Sequence, residues 1–207
     1  MRTLGDLEDA INRRRPSLEK LIADTMAMSQ LQTIEEIAHE EMCVAARGSI
    51  LGLAAAVIPN WRTNWHHTVL ADHAQKVVTG EIQRLMVLLP PRHTKTVLFS
   101  HLLPAWTLGQ QDEAIVAAAY NEAKASDEAG AVKAICTLPI YAEIFPNALI
   151  PRRTNEAKGE QRRALHFNLM GRPRAVYRAC DIGGSLTGYD KTLGVIDDPV
   201  KSLADAS

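Results

Sequence analysis

Apolar residues recur at spacings of three and four through the first sixty positions, a pattern typical of amphipathic helices. It predicts helices over residues 4–16, 17–28 and 33–58. Ser17 and Thr33 are the predicted N-caps, and Glu36 completes a capping box with Thr33 because a side chain three residues on can reach back to the cap. Residues 1–60 are therefore expected to form a helical N-terminal appendage.

The pattern changes at about Trp65, where short apolar runs begin to alternate with helical periodicity. The predicted helices cover 66–78, 96–106 and 122–136, and the predicted strands cover 84–89, 114–120 and 193–197. Short strands separated by helices are typical of βαβ units in a parallel sheet. Two further apolar runs, at 164–169 and 175–180, flank the sequence MGRP and predict a hairpin.

Composition narrows the class of protein. With 207 residues, of which 46% are hydrophobic and 23% charged, the chain is long enough for one main domain with a small appendage. A net charge of -1 argues against a basic surface over the whole protein, so any nucleic-acid contact must be local. Cys43, Cys136 and Cys180 are widely spaced, which predicts reduced core thiols in a cytosolic protein. The longest apolar run, at 49–59, is too short to cross a bilayer, and the N-terminus lacks the apolar core of a signal peptide, so neither directs the chain to a membrane.

The first candidate for chemistry is the stretch LLPPRHTKTVLFSHLLPAW at 88–106. A phosphate cradle needs a strand, a short loop, a lysine for the phosphate oxygens and a hydroxyl for Mg²⁺ at the start of a helix, and this stretch supplies them in that order. The pattern GxxxxGK[ST] is met only at Lys95 and Thr96, because Leu89 and Thr94 stand at the glycine positions. A turn that happens to contain a lysine is the alternative.

The second candidate is LGVIDDP at 193–199. A site for Mg·ATP needs a carboxylate at a strand end to hold the metal and another to orient the attacking water. Asp197 and Asp198 follow an apolar run and meet this requirement, although two aspartates at a strand end can also be solvated turn residues. The two candidates lie in the expected order on either side of the βαβ pattern.

Several sequence blocks carry a family resemblance, in order and spacing: HHTVLADHAQKVVTGEIQRLMVLLPPRHTKT, PAWTLG, AAAY, YAEIFPNA, GGSLTG and IDDPVKS. From about Trp61 to Ser207 the chain resembles the ATPase part of the large terminase subunit of tailed bacteriophages and related prophages. The resemblance implies an α/β P-loop NTPase domain at 61–207, with a parallel sheet of the RecA-like (ASCE) type flanked by helices. It also implies ATP and Mg²⁺ as cofactors and DNA translocation into a capsid as the function. The implied partners are duplex phage DNA, a small terminase subunit, a portal ring and further copies of the chain, in the cytoplasm of the bacterial host.

The resemblance also implies roles for single residues. Lys95 would bind the β and γ phosphates, Thr96 would ligate Mg²⁺, and the loop from Pro91 to Thr94 would form the cradle. Asp197 would take the metal side, and Asp198 would polarise the attacking water.

Within the loop, Arg92 is a candidate for stabilising the γ phosphate as charge develops, and a surface arginine anchored to a carboxylate is the alternative. His93 belongs to the cradle but has no separate chemical requirement. Thr94 departs from the family glycine, so the loop is expected either to use an ordinary backbone conformation there or to bind nucleotide less well. Asp198 stands where many such ATPases use glutamate, so its carboxylate must lie closer to the water.

Three further segments carry weaker predictions. His67, in the cluster Trp65-His66-His67, is a candidate for contact with the adenine, and the alternative is packing at a helix start. The loop GGSLTG, with Gly183, Gly184, Thr187 and Gly188, resembles a segment that faces the DNA channel or a neighbouring subunit, and a flexible connector is the alternative. Between 151 and 178 there are eight basic and two acidic residues, which favours contact with DNA phosphates or with another subunit over a solvated face.

Two expectations concern activity. Arg172 and Arg174, at the hairpin tip, are candidates for an arginine that completes the site of a neighbouring subunit. Beyond Asp198 the only further acidic residue is Asp205, so no nuclease activity is expected from this chain. The alternative to a motor ATPase is a truncated, prophage-derived nucleotide-binding module without turnover. An unrelated P-loop helicase or kinase does not account for YAEIFPNA and IDDPVKS together.

Overall fold

The computed structural model describes residues 18–150, 165–169, 172–182 and 193–199. By their contacts the residues divide into two compact units, with the division between Glu41 and Met42. Among the described helices, none is both long enough and apolar enough to span a bilayer.

The first described element is helix α1, Leu18–Gly48. It runs through Thr33, so the predicted N-cap at Thr33 and its capping box with Glu36 are wrong. Thr33 is a mid-helix residue, and its hydroxyl donates to the carbonyl of Ser29 at 2.9 Å. The sequence MAMSQLQT before and at this position contains no glycine or proline and is rich in good helix formers, so propensity carries the helix onward. Ser17 and the predicted helix at 4–16 lie outside the described residues.

The residues after Glu41 belong to the second unit. Cys43 and Ala46, near the end of α1, are buried in the core of this second unit. Helix α2, Ile50–Val57, is capped by Ser49, whose hydroxyl accepts the N–H of Gly52 at 2.9 Å. The division by contacts therefore falls earlier than the predicted boundary at residue 60, because 42–57 supply apolar side chains to the core of the second unit.

Helix α3, Trp65–Val78, forms where helical periodicity predicted it. The remaining helices of the second unit are α4, Leu103–Gln110, α5, Glu122–Cys136, and α6, Pro139–Ile144. The core packs large side chains from several of them, and two buried polar groups are satisfied by carbonyls: Trp106 Nε1 donates to Ala46 at 3.0 Å, and Tyr141 Oη to Ala105 at 2.8 Å. None of the three cysteines forms a disulfide, as predicted, and burial raises the pKa of Cys136 to about 12.

The sheet has four strands: β1, Ile115–Ala119, β2, His166–Leu169, β3, Arg172–Asp181, and β4, Leu193–Ile196. Their order is β2-β3-β1-β4. Strands β1, β3 and β4 are parallel, and β2 pairs antiparallel with β3 as the predicted hairpin. The α/β class is thus confirmed as a four-stranded sheet flanked by helices, and the sheet is mixed instead of wholly parallel.

The strand predicted at 84–89 is wrong. These residues form no ladder with any described strand, although their side chains alternate between exposed and half-buried in the manner of a strand. A cleft of about 570 Å³ lies between residues 82–87 and β4. An apolar alternating sequence favours strand geometry, but a strand also needs a neighbour for its backbone groups, which local sequence does not supply.

The helix predicted at 96–106 forms in two parts. Residues Val97–Leu102 are π-helical, and α4 follows directly. Pro104 gives the physical reason: it has no N–H to donate, and its ring would clash with the carbonyl of Ser100 four residues earlier in a regular α-helix. The wider turn instead carries the N–H of Leu103 to the carbonyl of Leu98.

The close approach of α2 to the end of α1 provides a test of this packing. A Cβ added to Gly52 would overlap the backbone of Ala45, whereas one added to Gly130, on α5, would meet nothing within 4 Å. We expect Gly52→Ala to lower the free energy of unfolding by about 1–3 kcal/mol, because the helices must separate. The control Gly130→Ala should raise it by up to about 1 kcal/mol through helix propensity. Urea unfolding measures both, and a Gly52→Ala variant as stable as wild type would contradict the packing described.

Candidate functional site

The candidate site lies at the carboxyl ends of the parallel strands. Asp197 directly follows β4, and its N–H donates to the carbonyl of Ala118 on β1 at 3.1 Å, which extends the ladder by one residue. The loop at 90–94 reaches the same edge through Lys95 and Thr96. Ligands of open α/β sheets commonly bind at this edge.

Lys95 contacts both aspartates. Its Nζ lies 3.0 Å from Asp197 Oδ1 and 2.8 Å from Asp198 Oδ1. The hydrogen bond to Asp198 is the largest influence on the pKa of Lys95 and raises it, against a smaller opposing effect of burial. The lysine is therefore a cation at neutral pH, and the two sequence candidates, about a hundred residues apart, meet in one ion cluster.

Thr96 completes the cluster by donating from Oγ1 to Asp197 Oδ2 at 2.8 Å. Asp197 is buried, which by itself would raise the pKa of its carboxyl group. The hydrogen bonds from Thr96 and Lys95 outweigh burial, so the pKa of Asp197 is lowered and the group is an anion at neutral pH. Each of its oxygens has a donor, one from the loop lysine and one from the threonine beside it.

Asp198 differs from Asp197 in exposure and backbone. Its side chain is 52% exposed, and its φ is +46°. Aspartate and asparagine enter this left-handed region more readily than most residues do. Asp198 therefore turns outward from the sheet edge and presents a carboxylate to solvent, held by Lys95 on one oxygen.

The loop also uses left-handed backbone, with φ of +66° at Arg92 and +61° at Thr94. The first of the two alternatives for Thr94, an ordinary backbone conformation, is therefore wrong. Alternation of handedness turns successive N–H groups to one side and can form an anion-binding concavity. Within the part of the chain that is described, no carbonyl accepts a backbone N–H of residues 93–96, so these donors are available for an anion.

His67 forms a hydrogen bond with the side chain of Thr94, a contact that the sequence analysis did not predict. Its Nδ1 accepts the N–H of Asn64 at 3.0 Å, so in the neutral ring Nε2 carries the proton and donates to Thr94 Oγ1 at 2.8 Å. The Thr94 hydroxyl in turn donates to the carbonyl of His93 at 2.6 Å. Burial lowers the pKa of His67, which favours the neutral ring that this chain of bonds requires.

The predicted adenine contact at His67 gains no direct support from these surroundings. The imidazole is buried, with ring centroids of Trp61 at 4.9 Å and His66 at 4.0 Å. Trp65, by contrast, is 77% exposed. His67 thus packs at the start of α3, as in the alternative reading, and also fixes the loop.

The other predicted residues are spread over the molecule. Arg92 and His93 are exposed at the loop tip, and no described carboxylate lies within ion-pair distance of Arg92. Arg172 and Arg174 lie toward the far end of the ten-residue strand β3, about 30 Å and about 23 Å from the site edge at 3.3 Å per residue. Gly183, Gly184, Thr187, Gly188 and the basic residues at 152–163 lie outside the described residues.

A second polar cluster behind the aspartates was missed by sequence reasoning, which interpreted 122–136 only as a helix. Lys124 Nζ lies 2.5 Å from Glu128 Oε1, and His101 bonds the other oxygen of Glu128. Burial would raise the pKa of Glu128, but its hydrogen bonds with His101 and Lys124 lower it. A lysine and a glutamate four residues apart were the available signal.

The oxygen atoms of Thr96 and Asp197 fit Mg²⁺, which commonly takes one or two protein ligands and completes its shell with phosphate and water. Among the described residues there is no group of three or more histidine, cysteine, aspartate or glutamate side chains that could hold a metal alone.

Comparisons with protein-family models, with curated proteins and with solved structures find no match for this chain.

The bond between His67 and Thr94 leads to a prediction about the loop. Thr94→Val keeps the shape and the strained φ but removes the hydroxyl, so the buried Nε2–H of His67 loses its acceptor at a cost of about 1–3 kcal/mol. Thr94→Gly loses the same bond but relieves about 1–2 kcal/mol of left-handed strain. We expect the glycine variant to be the more stable of the two by urea unfolding. Equal stability, or a less stable glycine variant, would show that Thr94 is not strained.

Proposed function

We propose that the chain binds Mg·ATP at the edge formed by the 91–96 loop and the Asp197-Asp198 pair, and hydrolyses its terminal phosphoanhydride bond. The observation that carries the proposal is the ion cluster itself: Lys95 contacts Asp197 and Asp198 while Thr96 donates to Asp197. These are the residue types that bind phosphate, hold Mg²⁺ and orient water in phosphoryl transfer. Their convergence from opposite ends of the domain favours such a site over a turn that merely contains a lysine.

Binding begins with an exchange of partners at Lys95. The ammonium group lies between two carboxylates, and an incoming triphosphate offers it a higher density of negative charge. Lys95 then turns toward the phosphate oxygens, and the free N–H groups of residues 93–96 bind the same oxygens. Thr96 and Asp197 would hold Mg²⁺ through the oxygen atoms that now share a hydrogen bond.

Hydrolysis requires a group that orients water and accepts its proton. When bound, Mg²⁺ neutralises charge on the phosphate oxygens. Asp198 is the exposed carboxylate next to the metal side of the site, and the exchange at Lys95 frees its bound oxygen for the attacking water. The two aspartates thus divide the work: the buried Asp197 holds the metal and the exposed Asp198 polarises the water.

The wider function that we propose is that of the ATPase motor of a terminase large subunit, with a RecA-like P-loop fold. The support is the resemblance over 61–207, together with an α/β sheet whose parallel strands β1 and β4 end at the site. Such a motor would move duplex phage DNA with a small terminase subunit, a portal ring and further copies of the chain, in the host cytoplasm. Arg172 and Arg174, remote from their own site, remain candidates for completing that of a neighbour.

A nucleotide-binding module without turnover is the second candidate. The observation in its favour is the loop conformation, since a β-branched residue at a φ of +61° is strained where the family pattern has glycine. A loop that binds the phosphate but holds it out of line with the attacking water would give binding without hydrolysis. Measurements of both properties on one preparation separate the two candidates.

The first test of the proposal is Lys95→Ala. Loss of the ammonium group should lower the rate of phosphate release from Mg·ATP by about 100-fold or more, because the uncharged N–H groups of the loop cannot replace its positive charge on the phosphates. The fold should be retained, since the side chain lies at the edge of the core, and circular dichroism checks this. Lys133→Ala, on the last turn of α5, is the matched control and should leave the rate unchanged. Equal rates in the two variants would contradict the phosphate-loop assignment.

The two aspartates provide the next test. Asp198→Asn should keep Mg·ATP affinity and reduce turnover by about 100-fold, because an amide of equal size, equally suited to the left-handed backbone, cannot accept the proton. Asp197→Asn should weaken Mg²⁺-dependent binding by about tenfold or more through loss of a ligand charge. A fluorescent ATP analogue measures affinity and phosphate release measures turnover. If both variants change affinity and turnover alike, the division of labour is wrong.

A further inference from the structure

A second lysine, Lys124, occupies the edge of the sheet at which Lys95 meets the aspartates. Helix α5 begins at Glu122, shortly after β1 ends at Ala119, and β1 is the strand that pairs with β4. Asn121 caps the helix by accepting the N–H of Lys124 at 2.8 Å. The first turn of α5 and the Asp197-Asp198 pair therefore lie at the carboxyl ends of adjacent strands.

The position of Lys124 is unfavourable for the helix alone. A cation in the first turn faces the positive end of the helix dipole. The partner Glu128 is four residues later, and lysine before glutamate is the weaker of the two orders for such a pair. The energetics of the helix alone therefore does not explain a lysine at position 124. Its contacts outside the first turn must be considered.

Glu128 fixes Lys124 in place. Glu128 is only 4% exposed, and both of its oxygens are bonded, one by Lys124 at 2.5 Å and the other by His101 on the π-helical turn. A buried carboxylate with a partner on each oxygen has little freedom to move. The Lys124 side chain remains 27% exposed, so the amine is held by Glu128 without being enclosed.

A very small space connects Glu128 of this cluster with Asp197. A cavity of about 10 Å³ is lined by Ser100, Glu128 and Asp197 together with small apolar residues, and the buried Ser100 hydroxyl helps to lower the pKa of Asp197. That volume is at the lower limit of what one water molecule needs. The pKa of Lys124 is raised first by Glu128, against burial, and then by the charges of Asp197 and Asp198. Lys124 is thus electrically coupled to both aspartates.

The role of Lys124 in phosphate binding rests on the proposed function, in which Lys95 moves from Asp198 to the phosphates. When Lys95 turns to the phosphates, Asp198 loses the cation that holds it and faces an anionic ligand. We propose that Lys124 is a positioning residue that holds the Asp198 carboxylate after Lys95 has left it, and that Glu128 and His101 keep Lys124 in reach. Lys124 acts on the reaction through Asp198 and not by contact with the reacting atoms.

Kinetics provide the first part of the test. Lys124→Gln removes the charge, Lys124→Arg keeps it, and Lys133→Gln removes a charge from the other end of α5 as the control. With the fluorescent ATP analogue and Mg²⁺, all three should bind as wild type does. Single-turnover hydrolysis at saturating ATP should fall by about tenfold or more in Lys124→Gln, by analogy with other displaced catalytic groups, and should largely recover in Lys124→Arg. A Lys124→Gln rate equal to that of Lys133→Gln would overturn the proposal.

The second part needs no nucleotide. In the Lys95→Ala chain, which lacks the first cation, urea unfolding is measured for Lys124→Gln, for Asp198→Asn and for both together. Non-additive effects are expected, because each change removes one half of the same interaction. Additive effects would overturn the pairing. A wild-type chain that binds no ATP would refute the proposed function, and this cycle would still decide whether Lys124 holds Asp198.

Discussion

The ion cluster of Lys95, Asp197 and Asp198 is the interaction on which the site depends. Asp197 is buried and ionised, and a carboxylate removed from water is stable only if its oxygens are bonded. Its partners, Lys95 and Thr96, come from a segment about a hundred residues away in sequence. The end of β4 and the start of the helix after the loop must therefore dock together, and this docking creates an edge with both cations and anions.

Backbone strain is concentrated around the same ion cluster. Of the four described non-glycine residues with positive φ, three belong to the site: Arg92, Thr94 and Asp198. Such conformations cost about 1–3 kcal/mol each and persist only where the surroundings enforce them. His67 enforces the loop through Thr94, and Lys95 holds Asp198. Strain that is maintained at a sheet edge in this way supports the inference that the edge is functional.

Sequence periodicity predicted the elements that local patterns determine: α3, β1, α5, the β2–β3 hairpin and β4 all form where expected. It failed where distant partners decide. Residues 84–89 have a strand sequence but pair with none of the described strands, and Thr33 resembles an N-cap inside a helix that propensity extends. Within the site, residue types and their order along the chain identified Lys95, Thr96, Asp197 and Asp198 as candidates. The left-handed φ of Thr94, its bond from His67 and the cluster of Lys124 depend on tertiary contacts that no local pattern records.

A crystal structure of the chain with Mg²⁺ and a non-hydrolysable ATP analogue would test the role of the ion cluster directly. We expect the triphosphate to lie against residues 91–96, Lys95 Nζ to have left Asp198 for the phosphate oxygens, and Thr96 and Asp197 to stand on the metal side. An analogue bound elsewhere would contradict it. So would a Lys95 that keeps its 2.8 Å contact with Asp198 while the phosphates lie outside the loop.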